Sequence, residues 1–330
     1  MEVPVTIAAN WIEPVRAGLR ATFQVDEADE VTIVSGGLSG AAVLRIVVKG
    51  TPYLLRLDPP VDGFGDPRRW HGCMQIAALA GVAPKVHYVS AAGVSIVDFV
   101  KQDPHVAYWA GDRTSLLTKL GELLRRLHAA PAFPPLVDYL DGMHGLIAGV
   151  VGAGLMSQEE LAMPLARFAV LETAYRSLEP QLVPSHNDVN PRNVVYDGTR
   201  LWLVDWAAAF QSDRFTDLAS IASFMARDEE GESVFLAAYF GAPATVAQRA
   251  RMYLARQINH MFYAMSLLTT TGGERPLRVR ELADIHTALR AGEPVMNSAA
   301  GRAEYALARV AAMVAGVDAP RFDDARRQAA

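Results

Sequence analysis

Cysteine is nearly missing from this chain: Cys73 is the only one in 330 residues. One thiol excludes an intramolecular disulfide and argues against a thiolate metal site. Long apolar runs are missing too. The longest, Gly145 to Met156, is rich in glycine and too short to cross a bilayer, so no membrane partner is expected. The opening residues, MEVPVTIAANWIEPVR, have no basic region followed by an apolar core. No secretory signal is read there, and the expected location is cytoplasmic. There is no basic stripe or patch; net charge is −5, which speaks against a nucleic-acid partner. Repeats and low-complexity tracts are absent. What remains is 51% hydrophobic and 20% charged, long enough for one large or two ordinary domains with a substantial core.

Chemistry concentrates in one stretch. Ser185-His186-Asn187-Asp188 is followed by Asn193, five residues after Asp188, and by Asp205, twelve residues later. An acid, an amide and a second acid suit a Mg²⁺ ion carrying a triphosphate, with one carboxylate near an incoming hydroxyl. Asp188 is placed to orient that hydroxyl and accept its proton. Asn193 and Asp205 are candidate metal ligands. Val194 to Tyr196, a turn at Asp197-Gly198 and Leu201 to Val204 read as a hairpin that presents Asn193 and Asp205 at one end. This is the pattern of a kinase catalytic loop and its metal-binding acid. His186 reads as a structural histidine bonded to nearby backbone.

The surrounding chain divides near residue 100. Residues 1–100 read as three strands, one helix and two strands. The helix opens with Asp66 as N-cap and Pro67 in its first position, and it runs to Gly81. Lys49-Gly50-Thr51 supplies a tight turn. Residues 101–330 read as mostly helical. Leu116, Leu117, Leu120, Leu123, Leu124 and Leu127 form an apolar stripe. Ser157 to Glu160 reads as a capping box. Thr245 to Leu268 and Arg302 to Val314 are the clearest later helices, and the tail from Arg321 reads as charged and frayed.

The segments HNDVNPRN and LVDW, then Asp217-Leu218-Ala219, resemble the aminoglycoside phosphotransferase and choline/ethanolamine kinase superfamily. The HND form, the VYDG turn and Ala238-Tyr239-Phe240-Gly241 are more similar to its choline/ethanolamine branch. The resemblance implies an α+β, protein-kinase-like fold of two lobes. The N-terminal lobe, residues 1–100, would be a five-stranded antiparallel sheet with one helix that binds nucleotide. The C-terminal lobe, residues 101–330, would be larger, mostly helical, and would hold catalysis and acceptor. ATP and Mg²⁺ are the implied cofactors. Asp188 is the implied base, Asn193 and Asp205 the metal ligands, and Asp217 a buried structural acid.

The N-terminal half fits that frame. Gly36, Gly37 and Gly40 lie between two strands, as in a glycine-rich hairpin over phosphates, and not between strand and helix as in a Rossmann or Walker loop. Arg56, on the third strand, stands where a kinase places its phosphate-pairing cation. Residues Ile96 to Val100 resemble the hinge, where backbone at Asp98 and Val100 would bond adenine. Two departures stand out. The helix that should supply a glutamate for Arg56 has Trp70 and His71 there instead, and Ala207-Ala208-Ala209 follows Asp205-Trp206 where many relatives have a glutamate.

Asn187 replaces the arginine that precedes a protein kinase's base, and Asp-Phe-Gly and Ala-Pro-Glu are missing, so no phosphorylation switch is expected. The expected acceptor is a small molecule with a hydroxyl, choline or ethanolamine first, a cation being favoured. An aminoglycoside or another hydroxylated metabolite is the alternative. Tyr239, Phe240, Tyr253, Phe262 and Tyr263 are candidates for an aromatic cage, though helical spacing favours core positions. A nucleotide-binding pseudokinase with a scaffold role is the alternative of a different class. Oligomeric state is not legible.

Overall fold

A computed structural model describes residues 7–34, 41–59, 63–102 and 112–329. The chain forms two compact units. The first comprises Met1–Gly111, Arg125–Pro134 and Pro184–Gln211; the second comprises Asp112–Leu124, Pro135–Val183 and Ser212–Ala330.

The first unit is built on an antiparallel sheet of five strands in the order β1-β2-β3-β5-β4. These are β1 (Glu30–Ile33), β2 (Ala42–Val48), β3 (Thr51–Leu57), β4 (Val86–Val89) and β5 (Val94–Asp98). The register Val48↔Thr51 leaves Lys49 and Gly50 as a two-residue turn. Both have positive φ, 51° and 76°, the mirror-image turn that matches strand twist. Side chains of β3 alternate. Leu55 and Leu57 enter a core with Leu44, Ile46, Val48, Val94 and Ile96, so Arg56 is carried on the opposite face.

The expected order of strands and helix holds, with one element added in front of it. Helix α1 (Ala9–Phe23) buries Val15 and Leu19 in the sheet core. Its start signal is missing, because the N-cap is Ala8 with no side-chain cap and Pro14 lies inside. Gly18 lets it seat closely; a Cβ there would lie 3.0 Å from the Tyr88 ring. Helix α2 (Pro67–Leu79) begins as read, with the Asp66 carboxylate accepting from the Arg68 N–H. Gly81 follows it at φ 67°.

Residues 184–211 belong to this same unit. Strands β7 (Val194–Tyr196) and β8 (Leu201–Leu203) form the expected hairpin. The Leu203 N–H donates to the Val82 carbonyl at 2.9 Å. In the hairpin turn, Asp197 accepts from the Thr199 and Arg200 N–H groups and from Trp202 Nε1. Burial works against its charge, but these bonds hold the carboxyl well below its usual range. Strand β6 (Leu182–Ser185) pairs with β9 (Phe210–Asp213).

Helix α3 (Arg113–His128) buries Leu117, Leu120, Leu123, Leu124 and Leu127 as one stripe. The second unit takes α3 as far as Leu124 and also comprises α4 (Tyr139–Gly152), α5 (Gln158–Arg176), α6 (Arg214–Phe224), α7 (Glu229–Phe240), α8 (Val246–Leu268), α9 (Leu282–Arg290), α10 (Ala299–Asp318) and α11 (Pro320–Gln328). Capping boxes open α5 at Ser157/Glu160 and α8 at Thr245/Gln248. The core of this unit runs through α4, α5, α8, α9 and α10. The tail differs from the expected frayed end: Pro320 starts α11, and Phe322 and Ala325, one helical turn apart, bury together. Among the described residues no helix is long and apolar enough to cross a membrane.

Candidate active site

Asp188 lies between β6 and a tight turn, and amides hold both of its carboxylate oxygens. Asn190 Nδ2 donates to Oδ1 at 3.0 Å, and Asn193 Nδ2 donates to Oδ2 at 3.0 Å. Asn193 Nδ2 also donates to the Asp188 carbonyl at 2.9 Å. With its nitrogen turned to Asp188, the planar amide of Asn193 directs Oδ1 the other way. The turn is set locally: Asn190 caps a 3₁₀ turn at Pro191–Asn193 by accepting from the Arg192 N–H. Asn193 is buried, and its carbonyl accepts from the Val204 N–H at 3.0 Å, next to Asp205.

Two residues here hold left-handed backbone, Asn187 at φ 63° and Asp205 at φ 62°. Asn and Asp tolerate this region better than most residues. Asn187 is held by donating Nδ2 to the carbonyls of Ala208 and Phe210. His186 is fully buried, donates Nε2–H to the Val204 carbonyl at 3.0 Å, and stacks on Trp206 at 4.7 Å. This is the backbone-bonding histidine that the sequence suggests.

Arg56 meets Asp205. Its Nη1 donates to Asp205 Oδ1 at 2.7 Å, and its Nε donates to both oxygens of Asp58 at 3.0 and 3.1 Å. The Trp70 ring lies under the guanidinium at 5.2 Å. Burial would lower the Arg56 pKa, but Asp205 and Asp58 outweigh it and hold the guanidinium charged. Burial pushes the Asp58 carboxyl up in spite of Arg56. So Arg56 and Asp205, 149 residues apart, touch in one unit. His71 is buried against Trp70, and burial first, then Arg56, brings its pKa down to about 4.

Sequence reasoning missed three contributors. Asp58 shares a strand face with Arg56, a signal that was available in the spacing. Asn190 holds Asp188 Oδ1 from within the turn it caps, a role that an Asn before Pro signals only as a turn. Arg69 of α2 bonds the carbonyls of Ala207 and Ala209, more than 130 residues away, and no local pattern announces that. The alanines that replace a glutamate therefore contribute backbone: Arg69 takes the carbonyls of 207 and 209, and Asn187 takes that of 208.

The other candidates sit as follows. Gly36, Gly37 and Gly40 lie outside the described residues. Asp98 ends β5; its N–H donates to the Lys85 carbonyl, and its carboxylate meets His87 Nε2 at 2.6 Å. Val100 follows, half-buried. Asp217 is fully buried near the start of α6, in the second unit. The aromatic candidates are largely core. Tyr263 reaches Ser220 Oγ and meets Phe224 edge to face, and the Tyr253 hydroxyl donates to the Gly316 carbonyl. Phe224, Tyr263 and Tyr305 surround the buried Arg309, with its guanidinium carbon 4.4, 5.1 and 4.8 Å from their ring centres.

Solved structures resemble this chain over most of its length. A choline/ethanolamine kinase family protein from Mesorhizobium loti is 21% identical with a TM-score of 0.70, over 96% of this chain and 98% of that one. The choline kinase LicA from Streptococcus pneumoniae is 13% identical with a TM-score of 0.65, over 92% and 100%. A spectinomycin phosphotransferase, bound to ADP and spectinomycin, is 11% identical with a TM-score of 0.57, over 90% and 98%. At these identities the likeness establishes the fold: a two-lobe, kinase-like α+β architecture. No curated protein matches the sequence significantly. The paired Asp188 and Asn193, with Asp205 across from Arg56, lie within residues 30–254, which match the model of the phosphotransferase enzyme family, and the chain belongs to that family.

Proposed function

We propose that the protein is an ATP- and Mg²⁺-dependent small-molecule kinase acting on an acceptor hydroxyl, with choline- or ethanolamine-like alcohols as the first acceptor class. One observation carries this reading: Asn190 and Asn193 hold the two oxygens of Asp188, and the Asn193 amide oxygen faces away from them. A carboxylate fixed in this way keeps lone pairs for an incoming O–H. The acceptor oxygen attacks the γ-phosphorus, its proton passes to Asp188, and the bond from the γ-phosphorus to the bridging oxygen breaks to release ADP.

Hard oxygen donors suit Mg²⁺, which is usually held by one or two side chains together with phosphates. Asn193 Oδ1 and Asp205 fit that donor set. Bound there, the ion would neutralise charge on the phosphate oxygens. Arg56 would pair with the same phosphates through the N–H groups that Asp58 and Asp205 do not use. Gly36, Gly37 and Gly40 would cover them. The Asp98 N–H is already bonded to Lys85, so adenine would be met by the Asp98 carbonyl and the Val100 N–H. His186 and Asp217 are support. Functionally, residues 1–100 bind nucleotide and residues 101–330 bear catalysis and acceptor.

The acceptor class rests on the choline and ethanolamine kinases among the fold neighbours. The spectinomycin enzyme supports the alternative, an aminoglycoside or similar polyol. The test is ADP release from Mg-ATP across choline, ethanolamine, aminoglycosides, sugars and amino acids. Stimulation by one acceptor, lost by a factor of ~10²–10⁴ in Asp188→Ala with nucleotide affinity kept, is expected. Equal activity of wild type and variant would sink the mechanism. Nucleotide binding without transfer to any acceptor would favour the pseudokinase.

A further inference from the structure

We infer that Asp58 is the positioning residue for Arg56, and that it supplies from the strand the carboxylate that helix α2 lacks. This rests on the reading of Arg56 as the phosphate-facing cation.

The geometry is specific. Asp58 lies two residues after Arg56, so both side chains leave the same face of the strand. Both Asp58 oxygens accept from the Arg56 Nε, at 3.0 and 3.1 Å. Among the described residues that carboxylate has no other hydrogen-bond partner, so it caps no turn and closes no helix. The two side chains are only 11% and 10% exposed, which keeps their attraction from being screened. The backbone of Asp58 is fixed as well. Its N–H donates to the Gly93 carbonyl at 2.9 Å, and its own carbonyl lies 2.0 Å from where a Cβ on Gly93 would be.

An arginine has five N–H donors. Asp58 takes the Nε–H, Asp205 takes one on Nη1, and Nη2 bonds nothing among the described residues. Gripped at Nε and backed by Trp70, the guanidinium turns its terminal nitrogens toward Asp205, where phosphates would be bound. Asp205 also carries the proposed metal-ligand role, so its charge is shared. Asp58 has no second duty. The helix residue nearest the missing glutamate, His71, is uncharged at neutral pH and offers no rival acid.

The test is a double-mutant cycle on the full chain with Asp58→Asn, Arg56→Gln and both together. Affinity for metal-free ADP and for Mg-ADP is read by calorimetry, KM and kcat with the best acceptor by ADP release, and folding by Tm. Asp58→Asn should weaken nucleotide binding roughly tenfold and leave the acceptor KM unchanged. In the Arg56→Gln background the same change should add less than about twofold. Wild-type affinity in Asp58→Asn, or an equal loss whether or not Arg56 is present, overturns the proposal. If Asp58→Asn does not fold, the double variant decides: folding recovered when both charges are removed supports the pairing, and no recovery overturns it. A wild type that binds no nucleotide sinks the kinase reading and this inference together. A wild type that binds and transfers, beside an indistinguishable Asp58→Asn, sinks this inference alone.

Discussion

At the scale of single residues, Asp205 combines an unusual backbone with a charged contact. It holds left-handed backbone, and its carboxylate meets Arg56. Strained backbone that survives in a folded protein is held there by its surroundings and is a frequent mark of functional positions. Asp205→Ala would remove a proposed metal ligand and at the same time release Arg56. Mg-ADP affinity should therefore fall by roughly tenfold or more, while affinity for metal-free ADP holds or improves, since a competitor for the guanidinium is gone. Calorimetry with and without EDTA separates the two. The hairpin that separates Asn193 from Asp205 was legible in the sequence, because the Asp197-Gly198 turn between two short apolar runs announces it. Asp58 was legible in principle, since its two-residue spacing from Arg56 puts both side chains on one strand face. The partners of Arg69 were not legible, since nothing local encodes a contact across more than 130 residues.

Elements were legible where they carry their own punctuation. The capping box at Ser157, the Asp66-Pro67 start and the Lys49-Gly50 turn all stand where the sequence puts them. Helix α1 was missed because it has no cap and contains Pro14; its helicity comes from packing Val15 and Leu19 on the sheet. The end of the chain was misread for a related reason, since two buried residues, Phe322 and Ala325, decide it against a charged background. The β4–β5 turn gives a sharp test at this scale. Gly93 has φ 86°, and a Cβ there would strike the Asp58 carbonyl. Gly93→Ala should destabilise the protein by about 2 kcal/mol or more, read as a lower urea midpoint, and should weaken nucleotide binding through Asp58.

For the molecule as a whole, buried histidines set the response to acid. Burial, then Arg309, brings His286 down to about 4; burial, then Arg309, Arg256 and His286, takes His260 well below its ordinary value; His71 also lies at about 4. His286 faces the Tyr305 hydroxyl, Phe224 and Arg309. Each folded pKa lies below the unfolded value near 6.5, so between about 4 and 6.5 the unfolded chain binds more protons. Stability is then full above 6.5 and is lost as pH falls toward 4, on the order of 3 kcal/mol for His286. Tm measured from pH 7.5 to 4.5 should fall, and less steeply in His286→Gln. A flat profile in both proteins would contradict this. Composition excluded an intramolecular disulfide at this scale, but Arg309 inside its three aromatic rings was invisible, because its partners come from α6, α8 and α10.

The ion pair between Arg56 and Asp58 has a consequence for control. Where the acid that steadies a kinase's cation sits on a mobile helix, swinging that helix away switches the enzyme off. Here cation and acid are two residues apart at the end of one strand, and Gly93 clamps the second of them. A displaced helix cannot separate them. Under the proposed kinase function, such a protein would stay poised whenever it is folded, and its output would follow the supply of nucleotide and acceptor instead of a signal delivered to the fold.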